Sequence, residues 1–304
     1  MATTDTSTAN CAACGKEGGN LNTCNKCKIA KYCNAACKKK HRSKHKKDCE
    51  KRVAELHDEA LFRDHPPTDD CPICFLPLPL DAHQSTFKPC CGKLICSGCI
   101  YAMLLEEARG RGKGLCAFCR KPYLTYEEGI KQVKKLKEAD NAYAFYTHGG
   151  YYAHADMGLP QDYEKANELW LRAGELGCAQ AYSNLGNSYY DSGKGVEVDR
   201  KKAKHYWELA AMKGDVNARH NLGCLEEDAG DDCRAYKHFI LSARAGYNKS
   251  LNVIKDGFMK GIITKDEYAN TLRAHQKRHD EMKSDDRGKA EVLRLIHNII
   301  KYEP

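Results

Sequence analysis

Sixteen cysteine and histidine side chains within the first 119 residues fall at spacings that tetrahedral zinc requires. Eight of them come first: Cys11, Cys14, Cys24, Cys27, Cys33, Cys37, His45 and Cys49. Each Cys-x2-Cys pair, at 11/14 and 24/27, lets a tight turn aim two thiolates at one ion, which takes four N or S ligands. Cys33/Cys37 and His45/Cys49 are spaced i,i+4, which predicts both members of each pair on one face of a helix. Two turns and two helical pairs therefore supply the corners of two zinc sites.

This order of ligands resembles the MYND zinc finger at every ligand position. The resemblance implies an interleaved arrangement, Cys11/Cys14 with Cys33/Cys37 and Cys24/Cys27 with His45/Cys49. A disulfide framework is the competing reading of such dense cysteine. His45 has no use in one, and residues 1–10 are polar and lack the apolar core of a signal peptide. The expected compartment is reducing, cytosol or nucleus, and the chain is not expected to be secreted. Some MYND fingers take proline-rich peptides, but the glutamine and tryptophan that face the peptide in those members align here with Lys38 and Arg42.

A second set of eight ligands follows a turn-rich linker whose Pro66 and Pro67 forbid helix continuation. It comprises Cys71, Cys74, Cys90, Cys91, Cys96, Cys99, Cys116 and Cys119. The stretch resembles a RING finger with cysteine at all eight positions. That resemblance implies one zinc on Cys71, Cys74, Cys96 and Cys99 and another on Cys90, Cys91, Cys116 and Cys119. It departs from the family in two places: Cys90 and Cys91 are adjacent, and Ala117 stands where proline is common. RING fingers of ubiquitin ligases hold a charged conjugating enzyme in a reactive pose, which is catalysis by orientation. Ile73 matches the position of the apolar contact with that enzyme, and Arg120 the arginine that clamps enzyme to ubiquitin. The bland reading makes Ile73 a core residue and Arg120 a surface charge. Four Zn2+ ions, two per module, are expected in all.

With 304 residues the chain has room for two or three domains, and no apolar stretch approaches the roughly 20 residues of a membrane span. Its net charge of +8 has one source. Residues 31–52 hold ten Lys/Arg against Asp48 and Glu50, and with 49 Lys/Arg and 41 Asp/Glu in all the rest of the chain carries 39 of each. A nuclear-import signal or a nucleic-acid patch is one reading of this run. A solvated helix face is the favoured one, because Tyr32 is the only aromatic in the run and gives no platform for base stacking.

These modules need a scaffold, and the remainder of the chain supplies one by repetition. From about Tyr143 it repeats with a period of 37 residues. Gly149, Gly186 and Gly223 are in register, as are Asp162 and Asp199, Ala166 and Ala203, Trp170 and Trp207, and Gly177 and Gly214. After a five-residue deletion the third copy continues with Asp231, Ala235, Phe239 and Gly246. One helix pair per repeat is predicted, with Asp199 as an N-cap and Trp170, Trp207 and Phe239 in the seam between helices. The pattern resembles the Sel-1-like repeat, a relative of the tetratricopeptide repeat, over about 141–246 with a degenerate unit to about 276. Such solenoids bind other proteins on an extended concave face. Cys178, Cys224 and Cys233 lack ligand spacing and are expected to be buried or half-buried.

The expected architecture is multidomain: two small zinc-stabilised modules followed by an all-α helical-repeat solenoid. The boundaries are 1–52 for the first finger, 53–70 for a helix (about Glu50 to Arg63) and linker, and 71–123 for the RING-like finger. A connecting helix over 124–140, repeats over 141–276 and a segment over 277–304 complete the chain. In that last segment residues 275–290 are expected to be exposed. Val292, Leu295, Ile296, Ile299 and Ile300 form the apolar stripe of a helix expected to cap the solenoid; a docking or dimerising helix is the alternative. The function expected is a protein-interaction adaptor, with partners on the solenoid and the first finger; the alternative is a RING-type ubiquitin ligase. A SET methyltransferase is disfavoured, since the suggestive Arg219–Cys224 fragment belongs to the third repeat and too little unassigned chain remains for a SET fold.

Overall fold

The computed structural model describes residues 9–18, 20–64, 69–111 and 114–302, with side chains through residue 295. The chain forms two compact units, Met1–Arg63 and Asp64–Pro304. Of the linker, residues 65–68 lie outside the described residues.

The first unit is a two-stranded ribbon and one helix. β1 (Asn22–Thr23) pairs antiparallel with β2 (Lys31–Tyr32), and α1 runs from Ala35 to Leu61. Asn34 caps α1 by accepting from the Cys37 N–H, so Cys33 sits in the turn ahead of the helix, and the expected helical Cys33/Cys37 pair is half turn and half helix. Nor is there a separate helix from Glu50: no Gly or Pro interrupts residues 35–61, and α1 continues unbroken through the expected boundary at residue 52. The buried core is Cys11, Cys24, Cys27, Cys49 and Tyr32. Four of those five are proposed metal ligands, so this unit has almost no apolar core of its own.

The second unit opens with the hairpin β3 (Ser85–Lys88) and β4 (Lys93–Cys96), followed by α2 (Ser97–Ala108). Ser85 lies opposite Cys96 and Lys88 opposite Lys93, which leaves residues 89–92 as the turn. α3 (Tyr126–Glu138) starts at a capping box in which Thr125 and Glu128 bond reciprocally.

Four helix pairs then stack: α4 (Ala142–His154) with α5 (Tyr163–Glu175), α6 (Ala179–Tyr190) with α7 (Arg200–Ala211), α8 (Val216–Asp228) with α9 (Asp232–Arg244), and α10 (Asn248–Met259) with α11 (Lys265–Met282). Asp162, Asp199 and Asp231 cap the second helix of the first three pairs, each accepting backbone N–H groups of the first turn. The 37-residue register has a direct packing meaning. Trp170 lies on Gly149, Trp207 on Gly186 and Phe239 on Gly223, so closely that a Cβ at Gly149 would fall 2.6 Å from the Trp170 ring nitrogen and one at Gly223 2.5 Å from Phe239. All three aromatic rings are buried. The seam residues expected from the sequence are the seam residues observed.

The last unit of the solenoid is longer than expected, since α11 reaches Met282 rather than about 276. The C-terminal helix α12 (Asp285–Tyr302) then departs from expectation: it packs along α2 of the cysteine-rich module and does not end the solenoid. Of the stretch expected to be exposed, His275 and Arg287 are buried. Val292 and Leu295, the start of the expected buried stripe, are about half exposed, and the side chains of Ile296, Ile299 and Ile300 lie outside the described residues. Cys178 is buried as expected, whereas Cys224 and Cys233 are exposed on α8 and α9.

Candidate metal centres

Four quartets of ligand atoms converge. They are Cys11, Cys14, Cys33 and Cys37; Cys24, Cys27, His45 and Cys49; Cys71, Cys74, Cys96 and Cys99; and Cys90, Cys91, Cys116 and Cys119. Within each, all ligand atoms lie within 4.8 Å of one another. A tetrahedron with Zn–S bonds of 2.3 Å has S···S edges of about 3.8 Å. The observed edges include Cys14–Cys33 at 3.7 Å, Cys24–Cys49 at 3.9 Å, Cys71–Cys99 and Cys74–Cys96 at 3.8 Å and Cys90–Cys119 at 3.5 Å. His45 turns Nε2 to Cys27 Sγ at 3.4 Å. Every cysteine is free. The donor sets, three of four sulfurs and one of three sulfurs with an imidazole, suit zinc in closed structural coordination.

The knuckles are built alike. In each, the residue after the second cysteine has a left-handed backbone: Gly15, Lys28, Phe75 and Arg120. Its N–H returns to the carbonyl of the first cysteine, as in Gly15 to Cys11, Lys28 to Cys24, Phe75 to Cys71 and Arg120 to Cys116. The reversal turns backbone N–H groups onto the first sulfur. N–H groups of Cys33, Ala13 and Cys14 bring the Cys11 thiol down to about 6, and that of Cys27, with Lys26 and the His45 side chain, brings Cys24 to about 6. Burial opposes ionisation of Cys71 and Cys116. Backbone donors from Cys96, Cys74 and Ile73 on one, and from Cys119 and Phe118 on the other, still bring both to about 7. Their neighbours go the other way: the Cys33 side chain pushes Cys37 up to about 12. Crowded sulfurs cannot all ionise until a cation joins them, which is the electrostatic signature of a metal site.

Cys90 and Cys91 occupy the turn between β3 and β4, where the chain reverses and both side chains reach the same quartet. Their adjacency, unusual for a RING finger, is accommodated by that hairpin. Ile73 is half-buried and packs against the core of its module, whereas Arg120 is exposed with φ of 58° fixed by the knuckle. Lys38 and Arg42 are exposed on α1, as are Lys39, Lys40, Lys44 and Lys46. Tyr32 is buried, its hydroxyl 3.3 Å from His41 Nδ1, and presents no stacking face. The Arg219–Cys224 fragment is part of α8.

Two features escaped the sequence reading. One is a recess of about 410 Å3 between the second cysteine-rich module and the first two helix pairs, walled by Leu78, Leu80 and Phe87 on one side and Tyr146, Tyr151 and Asn184 on the other. The other is Arg287, whose guanidinium reaches Cys74. A Cβ at Gly98, between the candidate ligands Cys96 and Cys99, would meet Arg287, so the glycine at that position is a local trace of the close approach. Among the described residues no helix is long and apolar enough to cross a membrane.

Comparison with known proteins agrees with the modular reading. The MYND finger family model matches residues 11–49, and the Sel1 repeat model matches residues 137–178 and 179–215. No curated protein matches the chain significantly. Among solved structures, a Sel1 repeat protein from Oxalobacter formigenes is 24% identical, with a TM-score of 0.45 over 58% of this chain and 71% of its own. The protective antigen c5321 of uropathogenic Escherichia coli, described as displaying an SLR fold, is 22% identical, with a TM-score of 0.46 over 59% of this chain and 40% of its own. The chain carries a MYND zinc finger at residues 11–49 and Sel1 repeats over residues 137–215, separated by a second cysteine-rich module with two further cysteine quartets that could hold a metal ion.

Proposed function

We propose that the chain is an intracellular protein-interaction adaptor held together by four structural zinc ions, two in each cysteine-rich module, with modules at 1–52, 71–123 and 141–276. The observation that carries this reading is the exposed cationic half of α1, where Lys38, Lys39, Lys40, Arg42, Lys44 and Lys46 stand on a helix that the metal ligands anchor. Fifteen reduced cysteine ligands are compatible with the cytosol or nucleus. An aromatic platform would let a proline ring pack on the finger, but a guanidinium at residue 42 and an ammonium at residue 38 offer charge instead. The partner favoured is an acidic protein segment.

Titration of the full chain with acidic and proline-rich peptides tests this. The acidic peptide should bind, weaken severalfold between low and physiological salt, and lose most of its affinity to Lys38→Glu/Arg42→Glu. Tight, salt-insensitive binding of the proline-rich peptide would overturn the assignment.

The second reading is a RING-type ubiquitin ligase. The interleaved quartets of residues 71–119 and the exposed Arg120 favour it, while Ile73, half-buried against the module's core, offers a smaller apolar contact than the resemblance implies. Incubation with activating enzyme, a panel of conjugating enzymes and ubiquitin separates the two. A ligase gives autoubiquitination that Arg120→Ala reduces; the adaptor gives none with any conjugating enzyme.

A further inference from the structure

Among the described residues Arg287 is a buried cation, and it lies far in sequence from what it touches. Its Nη1 donates to the carbonyls of Pro77 and Met282, both at 2.7 Å, and its Nη2 lies 3.4 Å from Cys74 Sγ and from the Leu76 carbonyl. The side chain is 8% exposed. The approach is tight enough to dictate a residue in the module itself. A Cβ on Gly98, between the ligands Cys96 and Cys99, would sit 2.8 Å from both Arg287 Cγ and Arg287 N. A second bond, Gln84 Nε2 to Glu291 Oε2 at 3.1 Å, holds the next turn of α12 against the same module.

Four thiolates around a divalent cation leave a net charge of −2, in a site where Cys71 and Cys96 are buried. Burying such charge is costly unless donors and a countercharge accompany it. Arg287 provides both: a fixed positive charge beside Cys74 and an N–H directed at its sulfur, while its other donors tie the guanidinium to the knuckle backbone. A hydrogen bond to a coordinated thiolate draws charge from sulfur, which disfavours protonation, alkylation and loss of the ligand. We propose that Arg287 is a positioning and charge-compensating residue of the Cys71/Cys74/Cys96/Cys99 metal site, so that retention of that one metal depends on a helix residue 213 positions beyond the ligand Cys74 that it touches. The inference rests on the reading of that quartet as a zinc site.

The test uses the full chain loaded with zinc, a chromophoric chelator, and mass-spectrometric mapping of cysteine alkylation. The parent is measured first: absence of metal from this quartet would sink the zinc reading itself. Given metal there, Arg287→Ala should speed zinc release and alkylation at Cys71, Cys74, Cys96 and Cys99 by roughly 10- to 100-fold, the usual effect of losing an outer-shell partner. Release from the MYND quartets should be unchanged. Arg287→Lys should recover part of the loss, since it restores charge but not the fork of donors. Gly98→Ala, which pushes the α12 backbone away with Arg287 intact, should reproduce the effect. Parental rates in Arg287→Ala would overturn the proposal. So would an equal acceleration at Cys90, Cys91, Cys116 and Cys119, which would make Arg287 a general brace of the module. Tryptophan fluorescence from Trp170 and Trp207 reports on the solenoid in every variant, so a misfolded chain is recognised as such, and Arg287→Lys then decides.

Discussion

Chelation of the freshly purified full chain should release four zinc ions and unfold both cysteine-rich modules while the helix pairs from Ala142 onward stay folded. The reason lies in what the cores are made of. In the first unit the buried cluster is Cys11, Cys24, Cys27 and Cys49 around Tyr32. In the second cysteine-rich module it is Cys71, Cys96 and Cys116 with Leu78 and Ile95. Remove the cation and the sulfurs that remain repel as thiolates or must be protonated while buried. Binding of structural zinc is worth about 10–16 kcal/mol in small fingers, more than the few kcal/mol that so small an apolar core can provide. The repeats have an apolar core of their own, as in the cluster of Ala235, Phe239, Ala243 and Ile254. Both tryptophans lie in the repeats, on α5 and α7, so their fluorescence should hold constant as metal leaves and near-ultraviolet signals from the fingers collapse. Metal analysis giving two or fewer zinc ions per chain, or tryptophan emission that shifts in step with zinc release, would contradict this.

Local rules made most of this architecture legible. Ligand spacing determines a knuckle because a knuckle is a local structure: two sulfurs, a reversed backbone and its own N–H groups. Spacing gave the pairs, and the groups whose ligand atoms converge are the ones that the family resemblances imply. The 37-residue period was equally readable, because each repeated glycine is the space an aromatic ring of the partner helix fills. Two kinds of information were not local. The continuity of α1 depended on the absence of any breaker between Ala35 and Leu61, whereas the sequence reading ended the finger at residue 52, just past its last ligand, Cys49. The destination of α12 depended on a tertiary contact: Arg287, read in sequence as one more exposed charge, is buried against a module far upstream. A charge run resembles a solvated face unless something distant neutralises it, and a single sequence does not display the distant partner.

Trp207→Ala should destabilise the solenoid by about 3–5 kcal/mol, the usual cost of truncating a buried aromatic. Trp207 is 3% exposed, its ring covers Gly186, and its Nε1 donates to Asn187 Oδ1 at 3.1 Å. Truncation leaves a cavity between α6 and α7. It also removes a donor from Asn187, although the Asn221 side chain still donates to that oxygen at 3.0 Å, which limits the polar part of the loss. The converse substitution, Gly186→Ala, should cost about 1–3 kcal/mol, because its Cβ meets the Trp207 ring in a helix pair that cannot open without breaking its neighbours' packing. The two should not add. With the ring gone the new methyl group has room, so the double variant should lose clearly less than the sum of the two single losses, with a coupling of about 1–2 kcal/mol. Chemical denaturation of all four proteins, followed by far-ultraviolet circular dichroism, measures that cycle. Strict additivity, or unchanged stability in Trp207→Ala accompanied by lost partner binding, would show that Trp207 serves as a contact surface and that the glycine register has some other cause.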